Sequence, residues 1–233
     1  MLSKFQIKPI NFPHICLYRM VNQKKSDKPV HTALLILAAG NSSRLGRPKQ
    51  LLEIKSSTLI NHTIDEAVKV PCQGRVLVLG AYNEKIKEKL PHKDVAIVYN
   101  ENWEMGMASS IQVGLNYLIN THDPDQVLVL LCDQPFINQK LMEQLIKLKR
   151  EGQKGIVGSS YGGMVGVPVL FDKKYFTDLL ALKGKEGAKK LLKKFGDDVG
   201  SIPFPMGNID IDTEADFMAY VKEDWNYFKR KKE

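Results

Sequence analysis

Between Ala38 and Lys49 the chain gathers residues that hold anions: Ala38-Ala39-Gly40-Asn41-Ser42-Ser43-Arg44-Leu45-Gly46-Arg47-Pro48-Lys49, directly after an apolar run. Glycine, asparagine and serine at the carboxyl end of a strand let backbone N–H groups turn toward an anion, and Arg44 and Lys49 add positive charge. Such a cradle suits a triphosphate. It is neither the G-x-G-x-x-G dinucleotide fingerprint nor a Walker A loop, because Gly46 is followed by Arg-Pro-Lys. The plainer reading of the same residues is an ordinary turn with two exposed cations. A carboxylate at Asp133, after another apolar run and before Gln134-Pro135, faces the same crevice if the two runs are neighbouring strands, and is then placed to hold Mg²⁺. As a cap for the helix expected near Asn138 it stands too early.

Asp210 and Asp212 alternate with Ile209 and Ile211 in a strand-like segment, so the two acids share a face and can complete a metal shell. Asp212 is also placed to cap the last helix together with Thr213. Gly106-Met107-Ala108-Ser109-Ser110 opens a helix whose N–H groups and two hydroxyls suit a base edge or a phosphate, although serines there are also ordinary caps. No Ser/His/Asp or Cys/His arrangement emerges, and Cys132 beside Asp133 reads as strand packing.

The elements that position these groups are legible as an alternation. Thr32 to Ala39, Arg75 to Leu79, Asp94 to Tyr99 and Gln126 to Cys132 are short, rich in Val, Leu and Ile, and apolar on both faces, the pattern of strands covered by helices on either side of a parallel sheet. Thr58 to Val70, Asn83 to Leu90, Met107 to Ile119 and Asn138 to Lys149 have helical spacing or composition. This predicts an α/β class, a mostly parallel sheet. After residue 150, Lys154 to Ser160 and Met164 to Phe171 flank a Tyr-Gly-Gly turn and predict an antiparallel hairpin. A basic helix over Glu186 to Phe195, a strand over Val199 to Phe204 and one closing helix over Thr213 to Phe228 complete the expectation.

Charge and composition exclude other classes. The net charge of +8 is concentrated at the ends, with six basic residues against one acid in residues 1–30 and five against three in 221–233, so the body shows no basic stripe that would track nucleic acid. Residues 1–30 are expected to be a disordered basic extension, with Met20 a candidate start, and residues 31–233 the single working domain. The longest apolar run, Ala33 to Ala39, is far short of the ~20 residues of a membrane span, so no membrane association is expected. Three scattered cysteines and the lack of a signal-like apolar segment lead to a cytoplasmic expectation.

The run L-A-A-G-N-S-S-R-L-G-R-P-K-Q-L-L resembles the signature of nucleotidyltransferases with the sugar-nucleotide pyrophosphorylase type of fold, and most resembles the molybdenum cofactor cytidylyltransferase branch. The resemblance extends over residues 33–217 through N-E-N-W-E-M-G-M-A-S-S-I-Q-V-G from Asn100, L-L-C-D-Q-P from Leu130, G-V-P-V-L-F from Gly166 and D-I-D-T-E-A-D-F from Asp210. It implies a single three-layer α/β/α Rossmann-like domain with a mostly parallel mixed sheet, of the nucleotide-diphospho-sugar transferase type. It implies CTP and a phosphorylated pterin-type small molecule as partners, Mg²⁺ as cofactor, and a transient contact with a molybdoenzyme or its chaperone. Lys49 and Arg44 take the catalytic role. Ala38 and Ala39 wall the base, and Gly40, Asn41, Ser42, Ser43, Gly80, Gly106, Ser109, Ser110 and Asp133 join the nucleotide contacts, with Ser110 on the pyrimidine. Asp133 and Asp210 hold the metal, with Asp212 beside them. Gly166-Val167-Pro168 stands where the branch commonly carries Gly-His-Pro. Alternatives are a sugar phosphate or another phosphorylated small molecule as acceptor, or a non-catalytic nucleotide-binding maturation factor.

Overall fold

A computed structural model of the chain describes residues 29–91 and 94–231. The basic extension and the candidate start at Met20 therefore lie outside the described residues, apart from Pro29 and Val30. In chain order the elements are β1 (Thr32–Ala38), a two-residue hairpin of β2 (Glu53–Ile54) and β3 (Ser57–Thr58), α1 (Leu59–Val68), β4 (Gly74–Leu79), α2 (Asn83–Lys87), β5 (Ala96–Tyr99), α3 (Met107–His122), β6 (Gln126–Leu131), α4 (Gln139–Glu151), β7 (Ile156–Tyr161), β8 (Met164–Asp172), α5 (Phe176–Leu180), α6 (Ala188–Lys194), β9 (Val199–Pro203), α7 (Glu214–Val221) and α8 (Trp225–Arg230). Among the described residues no helix is long and apolar enough to cross a membrane.

Seven strands form one sheet in the order β5-β4-β1-β6-β8-β7-β9. β1 pairs parallel with β4 and with β6, and β4 with β5, while β8 runs antiparallel to β6 and β7. The two-residue period of β1 divides its apolar run between two layers. Ala33, Leu35 and Leu37 pack with Ile111, Leu115 and Leu118 of α3 and with α5 and α6. Leu34, Ile36 and Ala38 pack with Ile60 and Ile64 of α1 and with Leu141, Met142 and Leu145 of α4. Every side chain of the strand is buried, so the uninterrupted apolar run follows from helices on both faces.

After β1 the chain winds outward to β4 and β5, then α3 carries it across the other face to β6 on the far side of β1. The loops leaving β1 and β6 therefore diverge, and a crevice opens at the carboxyl ends of these strands, where ligands of open α/β sheets bind.

Two expectations are corrected. The closing helix over Thr213 to Phe228 is two helices, because Glu223 turns left-handed at φ 55° and Asp224 starts a new helix by accepting the Tyr227 N–H. The break lets Phe228 fold back onto Leu52, Ile54 and Leu59, in a third apolar cluster with Ile209, Ile211 and Tyr220. The D-I-D segment is not a strand. Its alternation persists, with Ile209 and Ile211 buried, but the Ile211 N–H bonds the Asp133 carbonyl rather than a ladder partner.

Candidate functional site

The loop after β1 is built around one buried amide. Gln50 is fully buried, and its Nε2 donates to the carbonyls of Ala38 at 2.8 Å and Gly40 at 2.9 Å, while its Oε1 accepts from the Ser42 hydroxyl at 3.5 Å. Ser42, left-handed at φ 51°, accepts the N–H groups of Leu45 and Gly46 on its carbonyl and that of Lys49 on its hydroxyl. The loop is thereby held at both ends, with Gly40, Asn41, Ser43 and Arg44 exposed along it. A Cβ added at Gly40 would meet nothing within 4 Å, so this part of the loop faces open space.

Lys49 leaves this loop into the crevice. Its Nζ donates to Asp133 Oδ2 and to Asp212 Oδ1, at 2.8 Å each, and Arg44 donates to the second oxygen of Asp212, also at 2.8 Å. Burial opposes the lysine charge, yet the Asp133 and Asp212 carboxylates outweigh it and hold the Lys49 pKa above the ordinary value. Burial likewise works against the Asp212 carboxylate, and Lys49 with Arg44 overcomes it, so this carboxyl titrates below the usual range. Cys132 next door is pushed up to about 12 by burial and is no nucleophile at neutral pH.

Asp212 thus pairs with Lys49 and Arg44 at the candidate site, and the alternative that it caps the last helix is corrected. The cap of α7 is Thr213, whose hydroxyl accepts from Asp216 N while Asp216 returns to Thr213 N, a reciprocal capping box. The same Asp216 oxygen also accepts the Asp212 N–H at 3.1 Å, and its other oxygen takes Tyr227 and Lys231. The buried Asp216 carboxylate therefore ties the acidic segment to α8. A second tie runs from the anion loop, where Arg47 donates to Glu214 and lies over the Phe217 ring.

On the other flank, Asn100 is buried at the end of β5 and its Nδ2 donates to the hydroxyls of Ser109 and Ser110 at 2.9 Å each. Ser109 donates back to the Gly106 carbonyl, and the cap of α3 is Gly106 rather than a serine. Gly106 has φ 104°, and a Cβ there would stand 2.5 Å from the Gly184 carbonyl that accepts the Ala108 N–H. Gly80 ends β4 against Ala39 and Trp103, with no room for a Cβ, and the Ala81 N–H bonds the Ala39 carbonyl. Ala39 so joins the anion loop to the Gly80 and Ser109–Ser110 flank.

On the opposite flank Gln134 is 1% exposed, with Nε2 donating to the carbonyls of Val167 and Gly207. Two buried oxygens here, Asp133 Oδ1 and Gln134 Oε1, have no hydrogen-bond partner among the described residues. Tyr161, pushed up to about 12 by burial and then by Asp210, lies close enough for both Asp210 and Asp133 to act on it. The expected site residues are thus brought to the carboxyl-end side of the sheet, in three groups: Ala38 to Lys49 with Asp133 and Asp212 at the centre, Gly80, Gly106, Ser109 and Ser110 on one side, and Asp210 toward Tyr161 on the other. Gln50, Asn100 and Gln134 lie inside the motifs that carry the resemblance and Tyr161 opens the hairpin turn, but their residue types alone assigned none of them a role. Buried amides betray themselves only by the carbonyls and hydroxyls they meet.

A glycine-bearing loop after the central strand, a lysine held between two carboxylates and a hydroxyl cluster at a helix start make up the candidate site of this α/β fold. Residues 34–199 match the MobA-like NTP transferase domain. The chain belongs to that family and is a nucleotidyltransferase by family. It is 32% identical over 146 residues to nicotine blue oxidoreductase of Paenarthrobacter nicotinovorans, a match covering 62% of this chain and 69% of that protein. It is 28% identical over 127 residues to the bifunctional protein GlmU of Francisella tularensis, covering 54% of this chain but only 27% of that longer protein. Among solved structures, Rv0371c of Mycobacterium tuberculosis superposes with a TM-score of 0.74 at 26% identity, covering 84% of this chain and 99% of that one.

Proposed function

We propose that this chain transfers the CMP group of CTP to the phosphate of a molybdopterin-type acceptor and releases pyrophosphate, with Mg²⁺ as its metal. The observation that carries the reading is Lys49, fixed at the foot of the anion loop between Asp133 and Asp212. The loop N–H groups from Gly40 to Ser43 receive the triphosphate, Ala38 and Ala39 wall the base, and Ser110, oriented by Asn100, meets the pyrimidine edge.

The donor set fits a hard divalent cation. Asp133 Oδ1 is buried without a partner, and Asp210 and Asp212 stand on the same acidic segment. Among the described residues no group of three or more His, Cys, Asp or Glu side chains forms a metal cluster. One or two carboxylates plus substrate phosphates is the usual way Mg²⁺ is held. Asp133 and Asp210 would hold it, with Asp212 beside them, and the ion supplies charge neutralisation to the phosphates when bound.

An oxygen of the acceptor phosphate attacks the α-phosphorus, the bond to the β-phosphate breaks, and pyrophosphate leaves with the electron pair. A phosphate dianion brings no proton that must be removed, so no general base is required, and catalysis is positioning plus electrostatics. Lys49 and Arg44 neutralise the charge that develops on the α-phosphoryl oxygens and the departing pyrophosphate.

Val167, standing where the branch commonly has histidine, favours a second reading in which the acceptor is another phosphorylated small molecule. Pyrophosphate release measured with Mg²⁺ and each of CTP, GTP, UTP and ATP, with molybdenum-loaded molybdopterin, with other phosphate monoesters or with no acceptor, and with Asp133→Ala as control, separates the two. Release that needs CTP, molybdopterin and an intact Asp133 is expected. Release that proceeds with other phosphate esters and not with molybdopterin moves the assignment to the second reading, and no release or nucleotide binding under any condition sinks both.

A further inference from the structure

The sheet comes apart on one side of Asp133. β6 and β8 pair from Gln126 with Asp172 up to Val129 with Val169, and no further. Beyond that point the two strands diverge, and the Gln134 side chain spans the gap to the carbonyls of Val167 and Gly207. In the neighbouring ladder the β7–β8 register shifts between Gly158 and Ser159. Such bulges re-aim side chains beside functional sites, and the strand past this one ends at Tyr161, on the tip of the hairpin.

The Tyr161 ring has a seat made for it. A Cβ on Gly166 would collide with its hydroxyl, one on Gly207 with its ring edge, and Phe204 closes a further side edge-on at 6.2 Å between centroids. Side chains are thus missing where the ring needs room. The seat leaves the hydroxyl beside the Gln134 amide and the Val167 backbone, with Asp210 and Asp133 in its surroundings. Gln134 adds an independent observation: its Oε1 is buried without a donor. The amide cannot be turned round to relieve this, because Nε2 already serves two carbonyls.

In-line transfer requires the acceptor on the side of the α-phosphorus opposite the departing pyrophosphate. The anion loop with Lys49 and Arg44 follows β1, on one side of Asp133, and the gap between β6 and β8 lies on the other. We propose that Tyr161 and Gln134 form the acceptor subsite, for a phosphomonoester that also carries an N–H or O–H group. The Tyr161 hydroxyl donates to its phosphate, and Gln134 Oε1 accepts from its N–H or O–H. Tyr161 is the residue that discriminates acceptors, and Gly166 is glycine so that the hydroxyl can stand where it does. This inference rests on the nucleotidyl-transfer reading above.

The test is calorimetric titration of the whole chain with Mg²⁺ and α,β-methylene-CTP, which cannot turn over, followed by inorganic phosphate as the probe of the subsite. Wild type is expected to bind the analogue and then phosphate saturably. Tyr161→Phe, which removes one oxygen and keeps the ring, should weaken phosphate about tenfold or more, the loss expected for a hydrogen bond to a charged group, while the analogue binds as before. Gly166→Ala, which displaces the hydroxyl, should reproduce that loss. In turnover the same variants should raise the acceptor KM far more than they lower kcat. Equal phosphate binding by wild type and Tyr161→Phe overturns the proposal, as does absence of phosphate binding to the wild-type analogue complex, or parallel loss of phosphate and analogue. Failure of wild type to bind the analogue at all overturns the nucleotide reading, and the subsite falls with it.

Discussion

Lys49 Nζ stands 2.8 Å from Asp133 Oδ2 and 2.8 Å from Asp212 Oδ1, and so links the anion loop after β1, the end of β6 and the acidic segment before α7. Three chain segments far apart in sequence converge on one ammonium group. Removing a preorganised donor of this kind typically costs a factor of about 10² to 10³ in turnover. Lys49→Ala is therefore expected to lower CTP-dependent pyrophosphate release by that factor with an unchanged far-UV circular dichroism spectrum. Wild-type turnover in this variant would remove Lys49 from the chemistry.

Gln50 is expected to matter more for stability than the Arg47 ion pair at the surface of the loop. Gln50→Leu leaves the carbonyls of Ala38 and Gly40 without their donor, and an unsatisfied buried polar group costs about 1–3 kcal/mol. The Arg47 to Glu214 pair, about half exposed on both sides, is expected to contribute only about 0–1 kcal/mol. Urea unfolding of Gln50→Leu and Arg47→Ala should therefore place the first below the second, by about 1.5 kcal/mol at the centres of these ranges. The reverse order would mean that the loop is held by its surface ion pair.

How far the sequence speaks depends on whether a residue acts through its type or through its neighbours. The apolar run of β1 and the spacing of α3 and α4 announce helices on both faces of a parallel sheet, and the glycine loop, Lys49 and Asp133 stand out by residue type and are brought together by the fold. The left-handed turn at Glu223 that splits the closing helix left no periodic signal, since Phe217, Tyr220 and Phe228 alone read as one apolar face. The hairpin of β2 and β3 is too short to alternate visibly. Asp212 was legible as an acid but not as the partner of Lys49, because nothing local distinguishes it from a cap. Only the fold shows that Thr213 and Asp216 already satisfy that helix end.

Gly80 tests whether the anion loop and the flank beside it are set by close packing. A Cβ at this position would stand 2.6 Å from Trp103 Cβ and 2.7 Å from the Ala39 carbonyl oxygen, and the second of these belongs to the backbone of the loop. Overpacking typically costs about 1–3 kcal/mol. Gly80→Ala should lower the melting temperature and weaken CTP together, because Ala39 must move. A variant that loses stability while binding CTP as wild type does would show that the Ala39 wall is not part of the nucleotide site.

The ion pairs at the centre carry a pH dependence with a definite sign. The Asp212 carboxyl titrates below its ordinary range, so its contribution to stability is present above the unfolded value of about 3.9 and is lost as pH falls through the depressed folded value. Lys49 is shifted upward, so its contribution is present below about 10.4 and is lost only as pH rises through its raised folded value. Between these limits the pairing is constant. The unfolding free energies of wild type and Asp212→Asn should therefore differ by a fixed amount from about pH 6 to pH 9 and converge as the pH falls below about 4. A gap that stays constant into acid would show that Asp212 gains nothing from Lys49 and Arg44, whereas a gap that closes in acid ties the acidic segment to the anion loop through charge.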